Sequence, residues 1–530
     1  MERVKLTFKF WSILGLMAMI LIWFLPWRFQ VNDDVIMMWL VSGAYTGEPE
    51  SYAVFIHPLL SWFFSILYTN IPEFNWYGAF WFSVIYFSYL LITYSIQKTA
   101  FSKFEKVVFT LFFLILCLHL CYFLQFTLVA GISGLAGLLF LFSQKNNNSL
   151  AIYIFGLLAI LVSILVRWES FALIAIGFSL YQCVFFSPSL LKEKFLTFLL
   201  IGLIFLSGVF SKIFFERNSE YADYLSFNKA RSSVIDHPVF YYMVKSDQIK
   251  PDSDWFYFSR WMFEEGNVSE ETLKVKEEEL NKARWNMNFF SSTMQRFWTI
   301  QKTELFKSMC ILFLSLLYFL YLKKSRKGIL FFLIWGLFFL FFNFYFLILG
   351  RVILLFFLVL FIPIISQGKE GSFKKFEKLS IAILLLFFII HSNNFYKEAK
   401  DRKLMNSELN SLLANIPAKE PLFIEGFFEY NFMDVYNWKK PTPNISLGWL
   451  SRSPFQKKAM KRFGINSLAT MNSYYFIGIN IPEPLVLADY INSLADDFHE
   501  KTISKTPIFT LQFYIKEREG INSDAIKADN

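Results

Sequence analysis

Long apolar runs alternate along this chain with short polar breaks in which Lys and Arg cluster. About 20 mostly apolar residues are enough for a helix to cross a hydrocarbon layer. Such runs occur at 9–27, 76–96, 107–124, 126–143, 150–167, 171–186, 195–215, 304–322, 328–345, 351–366 and 379–392. A shorter apolar helix at 58–70, opened by His57-Pro58, is expected to lie in the interface or to re-enter. With 58–70 left out, the clusters Arg3/Lys5/Lys9, Lys98/Lys103/Lys106, Lys145, Lys192/Lys194, Lys323/Lys324/Arg326/Lys327 and Lys369/Lys374/Lys375/Lys378 share one side. The short loops opposite then hold only Arg28, Arg167 and Arg351. Basic residues accumulate on the cytoplasmic side of membrane helices, so the pattern predicts about eleven spans, N-terminus inside and C-terminus outside. The first run is too long for a signal-peptide core and no small-residue cleavage site follows it, so it is expected to remain as a helix.

Three segments break the pattern, all on the expected outer face. Loop 28–75 carries Asn32-Asp33-Asp34 and an amphipathic helix, then the short helix at 58–70. Loop 216–303 is rich in Tyr, Trp, Asp and Glu, with helical stretches around 270–287. Beyond 393, strand-like runs at 421–425, 475–479 and 507–515 alternate with helical ones. The expected organisation is a mainly α-helical polytopic transmembrane domain over 1–392 and a small extracytoplasmic α/β domain over 393–530.

Composition removes the soluble alternative. Of 530 residues, 55% are hydrophobic, 20% aromatic and 18% charged, and 68 are Phe. Globular domains average roughly 25% charged residues, and a surplus of Phe on this scale has to face lipid. The net charge of +9 sits in the clusters that orient the helices, with no basic stripe or nucleic-acid motif, so no nucleic-acid partner is expected. The partner is the lipid bilayer of a cell membrane, read as a bacterial inner membrane crossed many times. Cys117, Cys121, Cys183 and Cys310 all lie in apolar runs without metal-ligand spacing. No Walker pattern and no G-x-S-x-G elbow is present, so ATP-driven transport and serine hydrolysis lose support.

The sharpest chemical feature is the acidic pair Asp33-Asp34, just beyond the first expected span. Acids in a first helical turn ordinarily serve the cap and the dipole. At a membrane surface they are also suited to deprotonate an attacking hydroxyl, or to hold a divalent cation beside a phosphate leaving group. Together with the many spans and the extracytoplasmic tail, Asp33 and Asp34 resemble the GT-C superfamily of membrane glycosyltransferases, which place a catalytic acid in the first outer loop. The resemblance implies a polyprenyl-phosphate-linked sugar donor, a glycan, lipid or protein hydroxyl as acceptor, and a role in building cell-envelope polysaccharide. It implies Asp33 and Asp34 as catalytic residues and transfer with inversion; Asp33 or Asp34 would act as the base or as ligand to a divalent cation, Mg or Mn. No signature of the WWD type is recognisable, which disfavours protein N-glycosylation.

Other residues are candidates for substrate binding. Arg351 follows Gly350 in an apolar neighbourhood, where an arginine is costly and suited to bidentate phosphate binding; its plainer role is an interfacial anchor. Arg167-Trp168-Glu169 closes an outer turn as an internal ion pair, an aromatic-belt anchor or a substrate contact. Arg231 and His237 lie in the second outer loop, where Asp-His-Pro is also ordinary turn chemistry. His57 is a helix cap or a donor to sugar or phosphate. His119, within an apolar helix, is expected to bond a neighbouring helix. The rival readings are an O-antigen-type polymerase or ligase, which would rely on Arg and His of the central loop, and a lipid-linked glycan flippase, which would place polar breaks at mid-membrane.

Overall fold

The computed structural model describes residues 2–142, 150–186, 188–251, 253–264, 268–322, 325–367, 377–417, 419–426, 439, 442–480, 485–494 and 498–516. The basic residues Lys145, Lys323, Lys324, Lys369, Lys374 and Lys375 lie outside them. The chain is mainly helical with a four-stranded sheet near its C-terminus. It divides into two compact units. One comprises Met1–Met37, Ser51–Glu216 and Trp285–Ala399, the other Met38–Glu50, Arg217–Arg284 and Lys400–Asn530.

The first unit carries most of the long apolar helices, which are consistent with association with a lipid bilayer. Among the described residues, seven are long and apolar enough to cross a bilayer: Trp76–Lys98, Lys103–Tyr122, Leu150–Val184, Lys192–Arg217, Arg326–Tyr345, Gly350–Gln367 and Leu379–Leu413. An eighth arises if Phe289–Thr303 and Leu305–Leu320, bent by 106°, form one broken crossing. Two expected spans, 150–167 and 171–186, share the 35-residue element Leu150–Val184, broken at Arg167 where the backbone is extended (φ −161°, ψ 98°). Two others are shorter apolar helices, Thr7–Trp23 and Phe126–Phe142. The short helix expected at 58–70 is Pro58–Asn70, 13 residues long and opened by Pro at its first position.

Local sequence explains where these helices begin. Ser102 and Glu105 form a reciprocal capping box ahead of Lys103–Tyr122, and the Asn75 side chain accepts from the Gly78 amide. Phe126–Phe142 is buried on nearly every side, because small residues let its neighbours approach. A Cβ on Gly137 would stand 2.7 Å from the Gly156 carbonyl oxygen. Ser133 and Ser163 donate across the same seam to the Ala159 and Ala130 carbonyls (2.8 and 2.6 Å). Elsewhere Leu199, Leu203, Leu206 and Phe210 of the Pro188–Arg217 helix are exposed, an apolar surface suited to lipid. Two short strands, β1 (Arg28–Phe29) and β2 (Phe123–Leu124), pair in parallel, Arg28 opposite Phe123 and Phe29 opposite Leu124.

The second unit is built on strands β3 (Leu422–Glu425), β4 (Ser473–Ile479), β5 (Phe498–Lys505) and β6 (Phe509–Lys516), in the order β3-β4-β6-β5. β3 and β4 are parallel, and the remaining pairs are antiparallel. Phe423, Tyr474, Phe476 and Tyr514 join Leu487 and Ile491 in one apolar cluster. Ile477, Phe509 and Leu511 meet Met405, Leu409 and Leu412 in another. The central strands are therefore covered on both faces, whereas the edge strand β5 is exposed and charged at Glu500, Lys501 and Lys505, which discourages further pairing.

Candidate functional site

The residues around Asp34 come from four separate parts of the first unit. The β1–β2 pairing, extended by the Gln30 amide donating to the Leu124 carbonyl at 2.8 Å, sets the start of Phe126–Phe142 beside the first turn of the Asn32–Ser42 helix. There the Phe126 amide donates to one Asp34 carboxyl oxygen at 3.3 Å, and the Tyr77 hydroxyl donates to the other at 2.9 Å. Asp34 is completely buried. Burial pushes its carboxyl up to about 8 despite those two donors; the neighbouring Asp33 charge pushes the same way and the Arg351 guanidinium opposes it. Asp33 is half-buried, and among the described residues no hydrogen-bond donor is seen on its carboxylate.

Arg351 opens the Gly350–Leu358 helix. Glycine precedes it for a steric reason: a Cβ at position 350 would collide with the Glu304 carboxylate. Glu304 in turn pairs with Lys307, and Lys307 is buried within electrostatic reach of both Arg351 and Arg28. Arg28 pairs with Glu398 at 2.5 Å and lies over the Phe123 ring at 4.7 Å. His119 reaches a neighbouring helix, its Nδ1 standing 2.8 Å from Nε2 of His391.

Arg167, at the break in its helix, lies 4.9 Å over the ring of Phe126, the residue whose amide serves Asp34. Its approach to Glu169 is long, at 3.9 Å, and Glu169 is half-exposed, a geometry worth little by itself. Lys212 lies within electrostatic reach of both and donates to the Val54 and Phe55 carbonyls at 3.0 and 3.1 Å. His57 is placed as a cap: its Nδ1 accepts from the Leu59 amide, and its Nε2 meets the Gly208 carbonyl at 3.1 Å and Ser211 Oγ at 3.0 Å. Burial and the Lys212 charge hold its imidazole down at about 4. Both ring nitrogens are committed to the protein.

Arg231 and His237 belong to the second unit and do not join this group. Arg231 is buried, bonded through Nε to Asn228 Oδ1 at 2.9 Å, and lies 4.6 Å over the Trp261 ring. His237 caps Pro238–Lys245, and its Nε2 stands 2.5 Å from the Arg284 guanidinium. Burial first, then the charge of Arg284, lowers its imidazole to about 4.

Tyr77, the Glu304–Lys307 pair and His391 were not singled out from the sequence. Lys307 carried a usable signal, an ionisable residue inside an apolar run, which is a functional candidate by default. Tyr77 carried none, because an interfacial aromatic is expected at a span end. Among the described residues no three His, Cys, Asp or Glu side chains converge, and both Asp34 oxygens already accept hydrogen bonds. This donor set does not suit a resident divalent cation. No family model matches the chain, and neither a curated protein nor a solved structure matches it.

Proposed function

We propose that this protein is a membrane glycosyltransferase of the GT-C kind. It would move a sugar from a polyprenyl-phosphate-linked donor to a hydroxyl of a glycan, lipid or protein on the outer face of a cell membrane. In this reading the chain crosses about eleven times, the shorter and broken helices included, with the basic clusters inside. The observation that carries the proposal is the setting of the acidic pair. An acid that served only its own helix would accept from amides of its own first turn. Asp34 instead accepts from Tyr77 and Phe126, 43 and 92 residues away, with Arg351 close enough to act on its charge. That wiring fixes the turn and leaves half-buried Asp33 as the more accessible of the two acids.

The roles follow from chemistry. The Asp33 carboxylate takes the proton of the acceptor hydroxyl as its oxygen attacks the anomeric carbon. The bond from that carbon to the donor phosphate oxygen breaks, and the phosphate leaves with the electron pair, its charge met by Arg351. Asp34 touches no substrate in this scheme and positions Asp33. The polymerase or ligase reading draws less support, since Arg231 and His237 are buried and engaged within the second unit.

The test is sugar transfer from a polyprenyl-phosphate donor by purified wild type and Asp33→Asn. Turnover should fall by about 10²-fold or more with the protein still folded. Wild-type activity in both Asp33→Asn and Asp34→Asn would remove the main support for the assignment.

A further inference from the structure

The Met287–Thr303 helix has no part in the scheme above. Its described stretch meets the Leu305–Leu320 helix at 106°, nearly a right angle. The bend falls at Glu304, which pairs with Lys307. The 18 residues of Leu305–Leu322 rise about 27 Å by themselves, close to the thickness of a hydrocarbon core, so a crossing does not need the residues before them. Those residues also suit the core poorly, because Arg296, Lys302 and Glu304 fall close together and charges at mid-membrane are costly. One face of the helix is committed to protein. Phe289 packs on Phe344 and Phe297 on Phe339, with ring centroids 5.5 and 5.7 Å apart. The buried Arg296 guanidinium donates to the Asn343 carbonyl and side-chain oxygens at 3.0 and 3.1 Å. These contacts hold it against the C-terminal end of the apolar Arg326–Tyr345 helix. At about 100° per residue, the remaining surface sorts by chemistry. Phe290, Met294 and Trp298 fall on one flank, and Ser291, Gln295 and Lys302 on the other. Gln301 lies on the apolar flank with its amide oxygen already accepting from Ser308 Oγ at 3.0 Å.

We infer that the Met287–Thr303 helix lies in the plane of the membrane interface, its Phe290, Met294 and Trp298 flank set into lipid and its Ser291, Gln295 and Lys302 flank in water. The partner is a lipid surface because the apolar flank does not stand alone. Phe341, Phe346 and Leu349, at the same end of the Arg326–Tyr345 helix, are exposed as well, and carry the apolar surface on. Two opposite flanks of unlike chemistry, with an exposed Trp between them, are what a helix needs to rest at headgroup level. Among the described residues Lys302 is the only exposed charge on this helix, so apolar burial holds it there and a neutral lipid suffices. No step of sugar transfer enters this inference, which stands whether or not the protein moves a sugar.

The experiment uses the full chain in phosphatidylcholine nanodiscs, in a Cys183→Ser background, with a nitroxide attached at one position at a time. Phe290→Cys, Met294→Cys and Trp298→Cys report on one flank, and Ser291→Cys, Gln295→Cys and Lys302→Cys on the other. All six side chains are exposed or half-exposed, so a label disturbs little packing, and three positions per flank carry the reading if one variant fails to fold. Power saturation compares access to oxygen, which concentrates in lipid, with access to a water-soluble nickel chelate. Labels on the apolar flank should favour oxygen and share one depth, about 5–10 Å into the boundary between headgroups and acyl chains. Labels on the polar flank should favour nickel. A segment of a crossing would instead change depth by about 1.5 Å per residue, or about 12 Å between positions 290 and 298, on both flanks alike, and that result would overturn the inference. Exclusion of both reagents from the apolar flank would also overturn it, because protein, such as a second copy of this chain, would then cover that face.

Discussion

Asp34→Asn should make the protein more stable than wild type at pH 8 and no more stable at pH 4. Asp34 is buried with its carboxyl pushed up to about 8, against an ordinary value of 3.8. Below about pH 4 both folded and unfolded chains hold the proton, and the site costs nothing by ionisation. As pH rises further the unfolded chain releases its proton while the folded one retains it, so the unfolded state gains. Each pH unit in this window removes about 1.4 kcal/mol. The loss accumulates to the order of 5 kcal/mol by pH 8, where the folded carboxyl also ionises and the decline ends. Asn cannot ionise, and its amide oxygen still accepts one of the two bonds from Tyr77 and Phe126. The assay is thermal unfolding of wild type and Asp34→Asn in nanodiscs at pH 4 to 8.5, followed by tryptophan fluorescence. Taking the difference at each pH cancels the other titrating groups. The difference should turn steadily toward the Asn variant with rising pH. A difference that does not change with pH would refute the argument, because it would mean that Asp34 has the same affinity for its proton in both states.

Gly350→Ala should destabilise the protein by about 1–3 kcal/mol, the usual cost of overpacking, since its methyl group meets the Glu304 carboxylate; chemical denaturation measures this, and a neutral result would mean Glu304 moves aside freely. His57→Ala should cost about 1–2 kcal/mol through the lost cap and the lost bonds to Gly208 and Ser211. Because the imidazole is held down at about 4, that loss should be the same at pH 6 and pH 8, and a loss confined to one of them would show a charged role. For topology, cysteine is placed at Ser325 or at the exposed Lys501 in a Cys183→Ser background, since Cys183 is exposed and the other three cysteines are buried. An impermeant reagent applied to intact cells should label position 501 and spare 325, and equal labelling would refute the proposed orientation.

The helical character of this chain and its long apolar helices were legible in its sequence because apolarity acts on each run of residues separately. An apolar stretch such as 195–215 reads as a span whatever its neighbours do. The strands were legible on similar grounds: 421–425, 475–479 and 507–515 fall within a residue or two of β3, β4 and β6, where β-branched and aromatic residues lie between turns. Where one apolar helix ends and the next begins was less so. A single arginine with extended backbone joins 150–167 to 171–186 in one long element, and the 106° bend after Thr303 leaves no mark on hydropathy. Hydropathy averages over a window, whereas a bend depends on a few dihedral angles.

The candidate site depended most on tertiary structure. From the sequence, Asp33 and Asp34 were two equivalent acids in a first turn. Which of them is buried, and which stays the more accessible, was decided by Tyr77 and Phe126 arriving from elsewhere in the chain. His119 meets His391 across 272 residues, and Gly350 matters only because Glu304 stands against it. What the sequence determined by itself was the solvent each segment prefers, a sum over neighbouring side chains. What the tertiary structure decided was which polar atoms lose water and which partners replace it, and that depends on groups far apart in the chain being brought within about 3 Å.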